Sequence, residues 1–232
     1  MTHLSGDTVP ISSRPPLVVA MTGASGAPYA ARLIEVLLGA GRDIELVISP
    51  AAAQVWADEL DVRLDPERFD PDSFLAALGS RRLASSDPPV PRSAATQLRY
   101  RQIMDWHAGI ASGTFLTDGM VICPCSMSTL GAIAGGLSTN LIQRAADVHL
   151  KERRRLVLVP RETPLNLIQL ENMTRCMQAG ATLLPAMPGW YHRPESLVDL
   201  IDFVVGRICD QLQVPHRLLR RWGSDPAGSS GD

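Results

Sequence analysis

Short apolar runs, each broken by a turn residue and followed by a helix-like stretch, constrain this chain more than any other feature. Leu17 to Thr22 stops at Gly23 before a helix over Ala27 to Leu38. Ile44 to Ser49 precedes an alanine-rich helix from about Ala51 to Leu60, and Gly119 to Pro124 precedes a small-residue helix from Ser126 to Ala134. A helix over Asn140 to Leu150 then runs into the strand Leu156 to Pro160. Pro164 to Ala179 reads as helical with Pro164 in its first turn, Ala181 to Pro185 as a last strand, and Pro194 to Leu212 as a long amphipathic helix. Leu98 to Ile103 is one further strand. Strand–helix alternation of this kind predicts an α/β fold: a single Rossmann-like, doubly wound, mostly parallel sheet with helices on both faces.

The least regular part is 61–96, rich in Pro, Asp, Arg and Ser, where one short helix is expected near Pro71 to Leu78. Residues 1–15 are polar and Pro/Ser-rich without the apolar stretch of a signal peptide, so they read as a disordered arm. The domain is expected over 16–223, with 224–232 a disordered tail. No run approaches the roughly 18 apolar residues of a membrane span, which predicts a cytoplasmic protein. A net charge of −2 gives no electrostatic case for nucleic acid or an anionic membrane. Cys123-Pro-Cys125 lacks the spacing of a zinc or redox half-site and reads as small buried side chains at a strand end, so no metal site is expected.

In such a sheet the ligand lies outside the carboxyl ends of the strands. The strand ends here are Gly23-Ala-Ser-Gly26, Ser49-Pro50, Pro124-Cys125-Ser126, Arg161-Glu162 and Pro188-Gly-Trp-Tyr191. The first is a glycine-bearing strand-to-helix turn, suited to an anion or simply to a tight turn. It is neither G-x-G-x-x-G nor a P-loop, and no acid follows the second strand to bind a ribose, which favours one anion site over a dinucleotide.

Of the 22 Lys and Arg residues only Lys151 is a lysine. It offers a compact point charge that arginine's planar fork does not reproduce. Two readings stand: a phosphate-binding ammonium, or a charge on a solvated helix end paired with Asp147, four residues before it. Arg144 and Lys151 lie on nearly the same helix face two turns apart. Arg161 and Glu162 follow a buried strand and are expected to reach a crevice. Arg207 reads as a solvated helix face, and Tyr191 as either a ligand-facing hydroxyl or interface packing.

Several blocks together resemble the UbiX-type flavin prenyltransferases, within the family of homo-oligomeric flavin-containing Cys decarboxylase-like flavoproteins. They are Met21-Thr-Gly-Ala-Ser-Gly-Ala-Pro-Tyr29, Val121-Ile-Cys-Pro-Cys-Ser126, Arg144-Ala-Ala-Asp-Val-His-Leu-Lys-Glu-Arg153, Leu156-Val-Leu-Val-Pro-Arg-Glu-Thr-Pro164, Leu170-Glu-Asn-Met173 and Pro188-Gly-Trp-Tyr-His-Arg-Pro-Glu-Ser196. The resemblance covers about residues 16–223 and is absent from the N-terminal arm and 61–96. It implies attachment of a dimethylallyl unit, from dimethylallyl monophosphate, to N5 and C6 of reduced FMN, giving prenylated FMN for a UbiD-type decarboxylase. It also implies a closed homo-oligomer, typically a dodecamer, with sites at subunit junctions.

By that resemblance FMN is bound by Gly23, Ala24, Ser25, Ser49, Arg144 and the segment Gly109, Ile110, Ala111 and Ser112. The donor phosphate falls to Lys151, Arg161, Tyr191 and Arg207. Glu162 is the implied catalytic carboxylate, Trp106 the aromatic wall, and Ser25 and Glu59 further active-site residues. Pro50 stands where the family often has lysine, and Met127-Ser128 replaces a small polar pair. Two phosphates in one cleft require several cations or N–H donors. Cations gripping the leaving phosphate lower the barrier to C–O cleavage, and an aromatic face stabilises an allylic cation by about 2 kcal/mol when desolvated. No Asp-rich Mg²⁺ motif is present, which fits a metal-independent monophosphate donor. Alternatives are an FMN-dependent decarboxylase of the same fold and a non-catalytic FMN carrier. A cysteine decarboxylase would need its own His and Pro-x-Met-Asn-type motif, and neither is found.

Overall fold

The computed structural model describes residues 14–80 and 92–219. Six parallel strands lie in the order β3-β2-β1-β4-β5-β6. They are β1 Leu17–Met21, β2 Ile44–Ile48, β3 Leu98–Arg101, β4 Gly119–Cys125, β5 Leu156–Pro160 and β6 Thr182–Leu183. The helices are α1 Ala27–Gly39, α2 Pro50–Leu60, α3 Pro71–Ser80, α4 Met127–Ala134, α5 Leu141–Lys151, α6 Leu167–Gln178 and α7 Leu197–Leu212. Short 3-10 turns occupy Arg92–Gln97 and Gly109–Ala111.

The sheet is doubly wound because successive strand residues serve opposite cores. Leu17, Val19 and Met21 of β1 pack with α1, α2, α3 and α7, while Val18 and Ala20 pack with α4, α5 and α6. Every residue of β1 is buried, so the run carries no polar alternation. The order reverses between β1 and β4, which makes their carboxyl ends the switch point. Thr22 clamps that point: its Oγ1 donates to Pro124 O at 2.8 Å and accepts from Ser126 N–H at 2.7 Å. Pro124 falls at a register irregularity of β4, where a missing N–H breaks no ladder bond.

Several expected boundaries move. β3 ends at Arg101 and β6 holds two residues. Pro164 does not open α6: it follows a cis peptide bond, and Asn166 caps the helix in a capping box with Gln169. The helix expected from Pro194 starts at Leu197, capped by Ser196. Pro50 is the first residue of α2, where its missing N–H costs nothing, and Ser49 Oγ caps that helix by accepting from Ala52 N–H at 3.1 Å. Within 61–80 and 92–97 a real core exists: Phe74 lies 5.4 Å from Trp56 and 5.1 Å from Phe69, which stacks on Tyr100 at 4.4 Å. The segments 1–13 and 224–232, expected to be a disordered arm and tail, lie outside the described residues.

Candidate functional site

Expected site residues form two clusters, one around the carboxyl ends of β1 and β5 and the other joining α5 to the segment after β3. In the first, β1 turns into α1 through Gly23 to Gly26. A Cβ on Gly23 would lie 2.5 Å from the Ala51 Cβ, so only glycine lets this turn approach the start of α2. Gly26 adopts φ 128, and its N–H and that of Ala27 donate to Glu59 Oε2 at 2.9 and 2.8 Å. The amino end of α1, expected to hold a ligand anion, is thus taken by a carboxylate of the chain itself. Among the described residues the N–H groups of Ala24 and Ser25 meet no protein acceptor.

Arg161, just past β5, crosses to this turn and donates from Nε to Ser25 O at 3.1 Å. Tyr29 adjoins both. A Cβ on Gly26 would meet its ring at 3.1 Å, and burial raises its phenol pKa, with Cys123 adding and Arg161 opposing. Glu162 pairs with no arginine: among the described residues its carboxylate accepts only from Thr163 N–H, to Oε1 at 3.1 Å. Cys123 and Cys125 are fully buried, and burial pushes both thiols well above the ordinary range, as packing residues require.

The second cluster joins α5 to the segment after β3. Asn140 caps α5, accepting from Gln143 N–H at 3.0 Å. Arg144 donates from Nε to Ala111 O at 3.0 Å and from Nη1 to Asp147 at 2.7 Å. Asp147 therefore serves Arg144, and the expected Asp147–Lys151 pair does not form. Lys151 instead pairs with Glu152, beside Gly113, where a Cβ would lie 2.9 Å from Lys151 Nζ. That contact lowers the Glu152 pKa. Gly109 packs under Phe115, whose ring edge would sit 2.5 Å from an added Cβ. Trp106 lies on the loop before this segment, 45% exposed.

Tyr191 and Arg207 belong to neither cluster. Tyr191, 74% exposed, sets its ring edge-on against Phe203 at 5.7 Å, beside an open cavity of ≈ 360 Å³ lined also by His192, Asp199 and Asp202. Arg207, one turn beyond Phe203, pairs with Asp210 at 3.1 Å. It lies in the half of α7 that runs toward Leu212, which touches Gly119 at the amino end of β4. The chain's own fold therefore carries Arg207 away from the switch point. Tyr29 and Arg154, the latter described below, were not singled out from the sequence. Only their places, beside the glycine turn and just beyond a helix end, distinguish them there.

The strand order and the glycine turn at the switch point define a Rossmann-like nucleotide-binding class, and residues 10–209 match the Flavoprotein family. The chain belongs to that family and, within it, to the UbiX flavin prenyltransferases. It is 46% identical over 207 residues to the flavin prenyltransferase UbiX of Halalkalibacterium halodurans, covering 89% of this chain and 93% of that one. A crystal structure of AnUbiX (PadA1) in complex with FMN and dimethylallyl pyrophosphate superposes with a TM-score of 0.75 at 36% identity, over 92% of this chain and 100% of the other. A dodecameric FMN-dependent UbiX-like decarboxylase from Escherichia coli O157:H7 gives 0.72 at 37%, over 90% and 100%. Among the described residues no helix is long and apolar enough to cross a membrane.

Proposed function

We propose that this chain prenylates reduced FMN with dimethylallyl monophosphate and passes the product to a UbiD-type decarboxylase. The observation that best supports this reading is the glycine turn at the switch point, where Arg161 reaches the Ser25 carbonyl. A flavin phosphate fits the donors left at that turn and on Arg144. Arg144 spends two of its five N–H donors on Ala111 and Asp147, and the Ala24 and Ser25 N–H groups face no protein partner among the described residues. Gly23, Ser49 and the segment Gly109 to Ser112 complete that cradle. Reduced FMN, when bound, supplies the nucleophilic N5 and C6.

Lys151 of one copy and Arg161 of a second grip the donor phosphate, and their hold strengthens as negative charge gathers on it during C–O cleavage. Trp106 walls the allylic carbon from water. Glu162 moves the protons of ring closure, with Ser25 and Glu59 as further members of the site. Tyr191 and Arg207 reach the donor from a second copy of the chain, in a homo-dodecamer like the E. coli relative. Exposed Leu167, Ile168, Leu197 and Trp190, at 68–78%, supply apolar surface for such contacts.

The E. coli relative is an FMN-dependent UbiX-like decarboxylase, so direct decarboxylation is the second reading. Anaerobic incubation of the purified protein with reduced FMN and dimethylallyl monophosphate separates the two. The proposal expects orthophosphate release that depends on the flavin. Release of CO₂ from an aromatic acid by this protein alone, with the donor untouched, supports the second reading instead.

A further inference from the structure

Helix α5 ends in a Schellman turn: Arg154 N–H donates to His149 O at 2.8 Å and Arg153 N–H to Leu150 O at 3.1 Å, with Arg153 at φ 53. This turn sends three successive arginines in three directions. Arg153 is exposed. Arg155 donates to Asp118 O at 3.1 Å and Gln213 Oε1 at 2.6 Å. Arg154 folds back on the segment after the Gly109–Ala111 turn: Nη1 donates to Phe115 O at 2.7 Å and Nη2 to Gly113 O.

The same helix fastens that segment elsewhere. Arg144 holds Ala111 O, and His149 Nε2 meets Thr117 Oγ1 at 2.8 Å. Between these fastenings Gly113 lies against the side-chain ends of Lys151 and Glu152, which a Cβ would displace. We infer that Arg154 is a positioning residue that sets the spacing between the Ala111–Ser112 backbone and the Lys151 ammonium. Two carbonyls two residues apart need two donors in a fixed fork, which guanidinium has and ammonium lacks. The inference rests on the proposed roles of Gly109 to Ser112 and Lys151.

The test uses the full chain in its assembled state. FMN affinity is read by fluorescence quenching, and KM and kcat are measured for dimethylallyl monophosphate. Arg154→Lys is expected to weaken FMN binding and raise the donor KM, each by about tenfold, since small misplacements cost that much or more. Arg155→Lys, which loses bonds to Asp118 and Gln213 elsewhere, is expected to lower the melting temperature while both constants per folded protein stay at wild-type values. Gly113→Ala, with Arg154 intact, should displace the Lys151 ammonium from the segment and raise the donor KM likewise, which keeps the inference testable where Arg154 variants misfold. Wild-type constants in folded Arg154→Lys, or in Gly113→Ala, overturn it. If wild type transfers no prenyl group the proposed function falls, while the FMN affinity of Arg154→Lys against wild type still decides the positioning claim.

Discussion

Glu59 binds the backbone of Ala27 at the amino end of α1, its Oε2 accepting that N–H at 2.8 Å and the Gly26 N–H at 2.9 Å. A carboxylate here satisfies two otherwise unpaired helix donors and faces the positive end of the dipole. Glu59→Gln keeps an acceptor and loses the charge, so stability should fall by about 1 kcal/mol. Urea denaturation checks this, and an unchanged midpoint would show that the pairing contributes nothing.

His149 is fully buried, held by Ala145 O at 2.7 Å and Thr117 Oγ1 at 2.8 Å. Burial, with Arg154 adding, lowers its pKa from 6.5 to about 4 against the raising effect of its backbone bonds. Between those values the unfolded chain takes up a proton that the folded chain refuses. Stability is therefore lost as pH falls from 6.5 toward 4, by up to about 3 kcal/mol. Unfolding free energies of wild type and His149→Gln across that range should diverge in slope; parallel curves would contradict the assignment.

Arg153 holds φ 53 at the position after the α5 cap, where glycine is preferred. Arg153→Gly should raise stability by about 0.5–1 kcal/mol, the relief of left-handed strain exceeding the added entropy of the unfolded chain. A lower melting temperature would contradict this.

The strands were legible where burial on both faces makes the sequence uniformly apolar, as in Leu17–Met21 and Leu156–Pro160. The edges were not: β6 pairs through Thr182 and Leu183 alone, too few for any period. The start of α6 was readable in Asn166-x-x-Gln169 and was missed because Pro164 offered a stronger local signal. The aromatic packing of Trp56, Phe69, Phe74 and Tyr100 joins residues up to 44 apart in sequence and leaves no local pattern. Within the site, residue types were legible and pairings were not. Asp147 has Arg144 and Lys151 both within helical reach, and only geometry assigns it to Arg144.

Lys151 is half exposed and pairs with Glu152, so its own chain does not enclose it. In the proposed assembly a second copy closing over it would make the point charge decisive. Lys151→Arg should then retain FMN binding and lose most prenyl transfer, on the order of 10²-fold, while exposed Arg153→Lys stays near wild type. Equal, mild effects in steady-state kinetics would return Lys151 to the surface charges.

Mass spectrometry of the flavin decides whether this chain transfers a prenyl group. The purified protein is incubated anaerobically with reduced FMN and dimethylallyl monophosphate, and the flavin is then released. A flavin heavier by one five-carbon prenyl unit is expected, appearing only when protein, reduced flavin and donor are all present. Recovery of unmodified FMN with the donor unconsumed would contradict prenyl transfer by this chain.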